Sequence, residues 1–275
     1  MGKGALVTGG SRGIGRGIAL ELASEGYDIF FTYSTALGEA EETARQIEAL
    51  GVKVSFMQAS LQQRGVAEEV VRAAVRALGQ IHVLCNNAGI TRFSNVLALP
   101  DEQLDELMAL DFRAYVVCLR ETARHMVKHG IKGSIVNITS VRANRAFPGD
   151  GIYGGMKSAL FRAAESFALD LAPYGIRVNT VAPGAIQVRF DERTDAAYAS
   201  LAPRIPLGRQ GWCSDIGKAV AFLADNEKSG YITGSLVKVD GGLTLPGMPE
   251  FPKDRQEAIG WGAFTPDKTW DDSQL

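Results

Sequence analysis

Cysteine is scarce in this chain of 275 residues: Cys85, Cys118 and Cys213 stand far apart, with no CxxC pair and no zinc spacing. An odd number of separated thiols excludes a disulfide framework and points to a reducing, cytoplasmic setting. An excess of one charge is also lacking, with 29 Lys and Arg against 31 Asp and Glu. A net charge of −2 removes the electrostatic case for nucleic acid or a membrane surface as partner. No apolar run reaches the roughly 18 residues of a membrane span, and no apolar leader precedes the strand-like residues 5–8. Histidines at metal-ligand spacing are confined to His125 and His129, without a carboxylate motif. Cations near a helix C-terminus are favourable in themselves, so no metal is expected. What the chain does have is 46% hydrophobic residues, enough for a substantial core in one large domain or two small ones.

Short apolar strands alternate with amphipathic helices. Residues 4–8 predict a buried strand, and the next helix places Ile14, Ile18, Ala19 and Leu22 on one side before Gly26 closes it. A strand over 28–33, a helix over 39–50, a strand over 53–58, a helix over 64–78 and a strand over 81–85 follow. Pro100-Asp101-Glu102 opens a long helix over about 103–129. A strand over 133–139 delivers Ser140, and the helix bearing Tyr153 and Lys157 stops near Pro173 and Gly175. Strands over 177–181 and 236–239 flank a helix over 215–225. The alternation predicts an α/β fold, a doubly wound parallel sheet of about seven strands with helices on both faces. Residues 1–244 read as one domain. Within it, 185–211 is rich in Arg and Pro and, with a short helix over 195–201, reads equally as a substrate lid or as a solvated excursion. Residues 245–275 read as a tail docking on its own or a neighbouring subunit.

Between the first strand and helix lies Thr8-Gly9-Gly10-Ser11-Arg12-Gly13-Ile14-Gly15. Glycines there let the backbone turn tightly and bring a diphosphate against free N–H groups at the positive end of the helix dipole. An ordinary strand-to-helix turn is the plainer reading; the strand before and helix after favour a cofactor cradle. The second strand ends at Tyr33, followed by Ser34, where a dinucleotide fold meets the adenosine ribose. No carboxylate stands there to repel a 2′-phosphate, and Arg12 can pair with one, so NADP(H) is expected over NAD(H). After the fourth strand, Asn86-Asn87-Ala88-Gly89 reaches the sheet edge that lines such a crevice.

Residues 140–157 bring a hydroxyl, a phenol and an ammonium within reach of one reacting carbonyl. On one helix, Tyr153 and Lys157 are i,i+4 neighbours and share a face. Moving an ordinary phenol's proton loss from about pH 10 to neutrality takes about 4 kcal/mol. One cation at about 4 Å, at an effective dielectric of about 20, supplies roughly that. YxxxK alone is commonplace on exposed helices, and the surrounding motifs give it weight. Gly154 and Gly155 each cost the helix up to about 1 kcal/mol relative to alanine. Either they lie in a loosely formed first turn, or they keep space clear for substrate or a neighbouring subunit.

Together, Thr8-Gly9-x-x-x-Gly13-x-Gly15, Asn86-Asn87-Ala88-Gly89, Ser140 thirteen positions before Tyr153, Tyr153-x-x-x-Lys157 and Asn179-x-x-Ala182-Pro183-Gly184 resemble the short-chain dehydrogenase/reductase family over about residues 3–244. The resemblance implies a Rossmann domain, usually a homotetramer, that moves hydride between a nicotinamide and a carbonyl or secondary alcohol. It implies Tyr153 as acid/base, Ser140 positioning the substrate oxygen, and Lys157 holding the nicotinamide ribose and loosening the phenolic proton. The cofactor contacts it implies are Gly9, Ser11, Arg12, Gly13, Ile14 and Gly15, then Tyr33, Ser34, Ser60 and Leu61 toward the adenosine. Asn87, Ala88, Gly89, Pro183, Gly184 and Ile186 follow toward the nicotinamide. Three positions depart from the family pattern. Asp111 replaces a helix asparagine of the proton relay, Ser60 replaces an acidic adenine contact, and Val188 replaces a threonine near the carboxamide.

The expected substrate is a small molecule. Arg142, Asn144 and Arg145, close behind Ser140, suggest a polar, cationic mouth and a sugar or polyol, with likeness to glucose dehydrogenases. One alternative is a 3-oxoacyl-carrier-protein reductase, with Arg92 and Arg142 on a basic patch for an acidic carrier. Another is a dinucleotide-binding regulatory protein that has lost turnover, suggested by Asp111, Ser60 and Val188.

Overall fold

The computed structural model describes residues 2–189 and 201–245. Its elements alternate in the predicted order. The amino-terminal half holds β1 (Lys3–Val7), α1 (Gly13–Ser24), β2 (Tyr27–Tyr33), α2 (Leu37–Glu48), β3 (Val54–Gln58), α3 (Val66–Leu78) and β4 (Val83–Asn86). Next come α4 (Asp101–Met108), α5 (Ala114–Lys128), β5 (Ser134–Ile138), α6 (Gly151–Leu171) and β6 (Arg177–Pro183). The remainder comprises β7 (Ile186–Gln187), β8 (Gly211–Trp212), α7 (Cys213–Ala224), α8 (Asn226–Ser229) and β9 (Leu236–Val239).

Among the described residues, seven strands form one sheet in the order β3-β2-β1-β4-β5-β6-β9, every neighbouring pair parallel. Side chains of a strand alternate between faces, and the core obeys that period. Ala5, Val7, Val83, Cys85, Val136 and Ile138 pack with Ile18, Leu22, Ile47 and Val220 of α1, α2 and α7. Leu6, Leu84 and Ile135 face the other way, onto Val70, Val117 and Ala164 of α3, α5 and α6. Each fully buried aliphatic side chain contributes about 1.5–3 kcal/mol. The strand order reverses between β1 and β4, so the crevice of this fold opens at their carboxyl ends. Behind it, α1 and α7 lie backbone to backbone. A Cβ on Gly17 would come within 2.6 Å of the Cys213 carbonyl oxygen, and one on Gly217 within 2.5 Å of that of Gly17.

Several boundaries shift by one or two residues, and two expectations change in kind. The single helix over 103–129 is interrupted by a π-helical turn, Ala109–Arg113, which widens the spiral and carries Asp111 into the interior. The helix expected at 215 begins at Cys213, because Asp215 reaches back to accept the Trp212 N–H at 2.8 Å. The expected excursion over 185–211 is tied at its base by the unforeseen parallel pair β7–β8. The short helix expected over 195–201 and the tail beyond Leu245 lie outside the described residues, save Leu201 itself. Of the two helix glycines, Gly154 is buried, and a Cβ there would lie 3.0 Å from the Arg142 carbonyl oxygen. Gly155 is exposed with open space beside it. His125 and His129 serve the backbone: His125 Nε2 accepts from Ile81 N–H at 3.3 Å, and His129 Nδ1 lies 2.9 Å from the His125 carbonyl.

Candidate active site

The glycine-rich turn is built to stay open. Gly9 (φ 68°) and Gly13 (φ 54°) adopt a left-handed backbone that other residues reach only with strain. A Cβ on Gly15 would overlap the Gly9 carbonyl oxygen and stand 2.6 Å from the Asn87 amide nitrogen. The turn is pinned from several sides. Gly9 N–H donates to the Thr32 hydroxyl at 3.0 Å and Gly10 N–H to the Thr32 carbonyl at 2.8 Å. Asn87 Nδ2 donates to the carbonyls of Thr8 (3.0 Å) and Gly9 (3.1 Å), while the Asn87 and Ala88 amides donate to the Thr8 hydroxyl. The Ser11 carbonyl points to α2, accepting from Arg16 and Thr43. At the start of α1, Arg12 is the N-cap residue without a side-chain cap, and the first turn holds no acid. The first N–H groups of that helix are therefore left for a ligand, and an anionic diphosphate fits a cradle whose walls a single Cβ would fill. Gly15→Ala should lower stability by about 1–3 kcal/mol and weaken cofactor binding at least about tenfold. Thermal melting and fluorescence titration with NADPH check it, and parent-like values in both would mean that the turn has slack.

Toward the adenosine end, Tyr33 closes β2 with its ring edge-on to Phe56, centroids 6.0 Å apart. The Ser34 carbonyl accepts from Gln58 Nε2 at 2.8 Å. Ser60 is half-buried and Leu61 buried beyond β3. Arg12, expected to meet a 2′-phosphate, has Glu39 3.6 Å away, both side chains largely exposed. On the far side, Gly184 N–H donates to the Val239 carbonyl at 3.0 Å and Ile186 is buried. Val188 is exposed opposite Gly13, whose added Cβ would lie 3.4 Å from its own.

At the carboxyl end of β5, Ser140 Oγ accepts the Arg142 N–H at 3.2 Å, starting the one-turn 3-10 helix Val141–Ala143. That turn packs on α6, where the Ser158 hydroxyl donates to the Ala143 carbonyl. Tyr153 and Lys157 share a side of α6, with Lys157 Nζ 5.6 Å from the Tyr153 ring centroid. The ammonium is buried, donates to Tyr115 Oη at 3.2 Å and to the Ile138 carbonyl at 3.3 Å, and is ion-paired with Asp111 Oδ1 at 3.1 Å. Asp111 is wholly buried in the π turn and also accepts the Ile90 N–H at 3.2 Å. Burial pushes the Asp111 carboxyl above the ordinary range, and the Lys157 charge opposes that. Burial alone would lower Lys157; Tyr115, Asp111 and Tyr153 outweigh it and keep the side chain a cation, its pKa above the usual lysine value. A phenol beside a fixed ammonium, with a serine hydroxyl at the neighbouring strand end, can give a proton to a carbonyl oxygen and take one back.

The mouth departs from expectation. Arg142 is ion-paired to the buried Asp150 at 3.0 Å and lies between the rings of Phe93 (4.9 Å) and Phe147 (4.7 Å). Asn144 is exposed, Arg145 Nη1 lies 3.4 Å from the Leu243 carbonyl, and Arg92 faces Glu106 at 3.6 Å. Two side chains were missed from sequence: Tyr115, four residues after Asp111, and Asp150, three before Tyr153. A polar residue at helical spacing from Asp111 was the only signal for the first. An aspartate at a helix start was the signal for the second.

Residues 9–244 match the family model described as enoyl-(acyl carrier protein) reductase. The chain is 35% identical over 246 residues to the 3-oxoacyl-[acyl-carrier-protein] reductase of Staphylococcus epidermidis, the match covering 89% of this chain and 100% of that one. In structure it is similar to acetoin dehydrogenase from Salmonella typhimurium, with TM-score 0.85, 35% identity, and 92% and 99% of the two chains covered. It is likewise similar to a blue fluorescent protein from a metagenomic library in complex with NADPH, with TM-score 0.79, 33% identity, and 88% and 98% covered.

Proposed function

Because the chain belongs to the short-chain dehydrogenase/reductase family and is an NAD(P)-dependent oxidoreductase, we propose that it reduces, with NADPH, a ketone set in an apolar chain, 3-oxoacyl thioesters being the substrate class. The observation that carries this reading is the mouth. Arg142 is neutralised by Asp150 and covered by Phe93 and Phe147, so an incoming substrate meets aromatic carbon rather than free charge. Phe93, Val96, Leu97 and Phe147 are all exposed there or on the loop leading to it. The case for a sugar or polyol rested on cations at the mouth, and Arg142 and Arg145 are engaged by the chain's own acceptors. A bare basic patch for a carrier protein is likewise reduced, since Arg92 and Arg142 both face carboxylates.

In this reading the α1 N-terminus with Gly9, Ser11, Arg12, Gly13, Ile14 and Gly15 holds the diphosphate. Tyr33, Ser34, Ser60 and Leu61 bound the adenosine, and Asn87, Ala88, Gly89, Pro183, Gly184 and Ile186 bound the nicotinamide side. Bound NADPH supplies the hydride. Ser140 donates a hydrogen bond to the substrate oxygen as charge develops there, Tyr153 gives that oxygen its proton, and Lys157 stabilises the phenolate left behind. Arg12 exchanges Glu39 for the 2′-phosphate, a charge-assisted pairing open only to the phosphorylated cofactor. The intact Ser140, Tyr153 and Lys157 set argues against a regulator without turnover.

A second reading, reduction or oxidation of a small hydroxyketone, draws on the likeness to acetoin dehydrogenase. The test is a panel of acetoacetyl and longer 3-oxoacyl thioesters, acetoin and glucose, with NADPH and NADH, followed by absorbance of the reduced cofactor. The first reading expects kcat/KM to be highest for thioesters with NADPH. A preference for glucose or for NADH would overturn the corresponding half of it. The homotetramer that the family resemblance implies is supported by an apolar groove of about 520 Å³ on α5 and α6, lined by Val116, Leu119, Val127 and Phe167 among others; a monomeric mass in solution would remove it.

A further inference from the structure

Among the described residues, Lys157 donates hydrogen bonds to two acceptors and is ion-paired with a third group, each from a different element. Asp111 comes from the π turn, Tyr115 from α5 and the Ile138 carbonyl from β5. We propose that Asp111 and Tyr115 are positioning residues that hold Lys157, the first by its charge and the second by a hydrogen bond, and that the Asp111 carboxylate offsets the charge Lys157 presents to Tyr153, so setting the pH at which the phenol works. The proposal rests on Tyr153 as proton donor.

The geometry makes the arrangement specific. The π turn buries Asp111 completely, and no solvent competes for its Oδ1. Gly89 keeps the space open, since a Cβ there would collide with that oxygen and lie 3.3 Å from Lys157 Nζ. Tyr115 is itself fixed: its hydroxyl lies 3.3 Å from the Ile138 carbonyl, and Lys157 Nζ sits 4.7 Å from its ring centroid. The charged and titratable groups facing Lys157 are Asp111, Tyr115 and Tyr153; those facing Asp111 are Lys157 and, more distantly, Glu106 of α4. A cation with an anion at 3.1 Å acts at a distance as a dipole, so Tyr153 feels only part of the Lys157 charge.

Two variants separate charge from geometry. Asp111→Asn keeps shape and an acceptor oxygen but removes the charge. Removing that charge should move the midpoint of the pH–rate limb for 3-hydroxybutyryl thioester oxidation with NADP+ about one unit toward acid. Tyr115→Phe keeps the charge balance and removes one acceptor from Lys157, so it should lower kcat several-fold and leave the midpoint in place. A readout independent of turnover is the ultraviolet titration of phenol ionisation in the apoprotein. There, parent minus Tyr153→Phe isolates one tyrosine, and its midpoint should fall by a similar amount on the Asp111→Asn background. An unmoved midpoint in both titrations overturns the charge offset, and a parental rate in Tyr115→Phe overturns its positioning role. Turnover that survives in Tyr153→Phe overturns the underlying assignment of the proton donor instead, so the two failures are distinguishable.

Discussion

Tyr153→Phe is expected to reduce hydride transfer by roughly 10²–10⁴-fold, the range contributed by a positioned general acid, while cofactor affinity stays within about twofold. The ring packs beside Lys157 on α6, and phenylalanine retains that packing. The ion-pair partner and the two acceptors of Lys157 lie elsewhere, on Asp111, Tyr115 and Ile138, so the ammonium keeps its place when the phenolic oxygen is removed. The glycine turn and its pins from Thr32 and Asn87 are untouched. Single-turnover mixing with NADPH, beside a fluorescence titration of the cofactor, checks both halves. A parental rate would mean that the proton comes from another group.

Lys157→Met should be the most destabilising of the site variants, by about 3–5 kcal/mol near neutral pH, because it leaves the Asp111 carboxylate buried without its counter-charge. The sign of the pH dependence follows from burial. Desolvation already pushes the Asp111 carboxyl up and Lys157 is what opposes it, so in the variant the folded-state value rises further above the unfolded one. Stability contributed by a raised group is fully present below its unfolded pKa, about 3.9 for aspartate, and is lost as pH rises through the folded value. The deficit relative to the parent should therefore be small at low pH and grow toward neutrality. Adding Asp111→Asn to Lys157→Met removes the charge and should recover most of the loss. Urea unfolding of the single and double variants at two pH values measures it; equal stability of the two at neutral pH would show that the unpaired carboxyl group costs the folded protein nothing.

The layered sheet could be read from sequence because its two signals are local. Apolar runs of strand length alternate with helical periods, and the glycines that end helices mark the joints. The cradle was equally legible, since Gly9, Gly13 and Gly15 are required by backbone shape and neighbouring atoms rather than by distant packing. The π turn was not legible. Residues 103–129 carry an unbroken helical period, and one widened turn leaves no mark in composition. That single irregularity decides where Asp111 goes, so the direct Asp111–Lys157 pair and the approach of Tyr115 were hidden with it. The fate of Arg142 was hidden for another reason: its partners Phe93 and Asp150 lie on different segments, and only the tertiary fold brings them together.

The close seating of α1 on α7, through Gly17, Cys213 and Gly217, bears on how the domain is made. Within this fold, the helix that presents its N-terminus to the diphosphate is synthesised long before the helix that supports it from behind. Until that support arrives, the cradle lacks half of its scaffold, and contacts so distant in sequence form slowly. Cofactor can therefore assist only the final stage of folding, when nearly the whole domain has been synthesised.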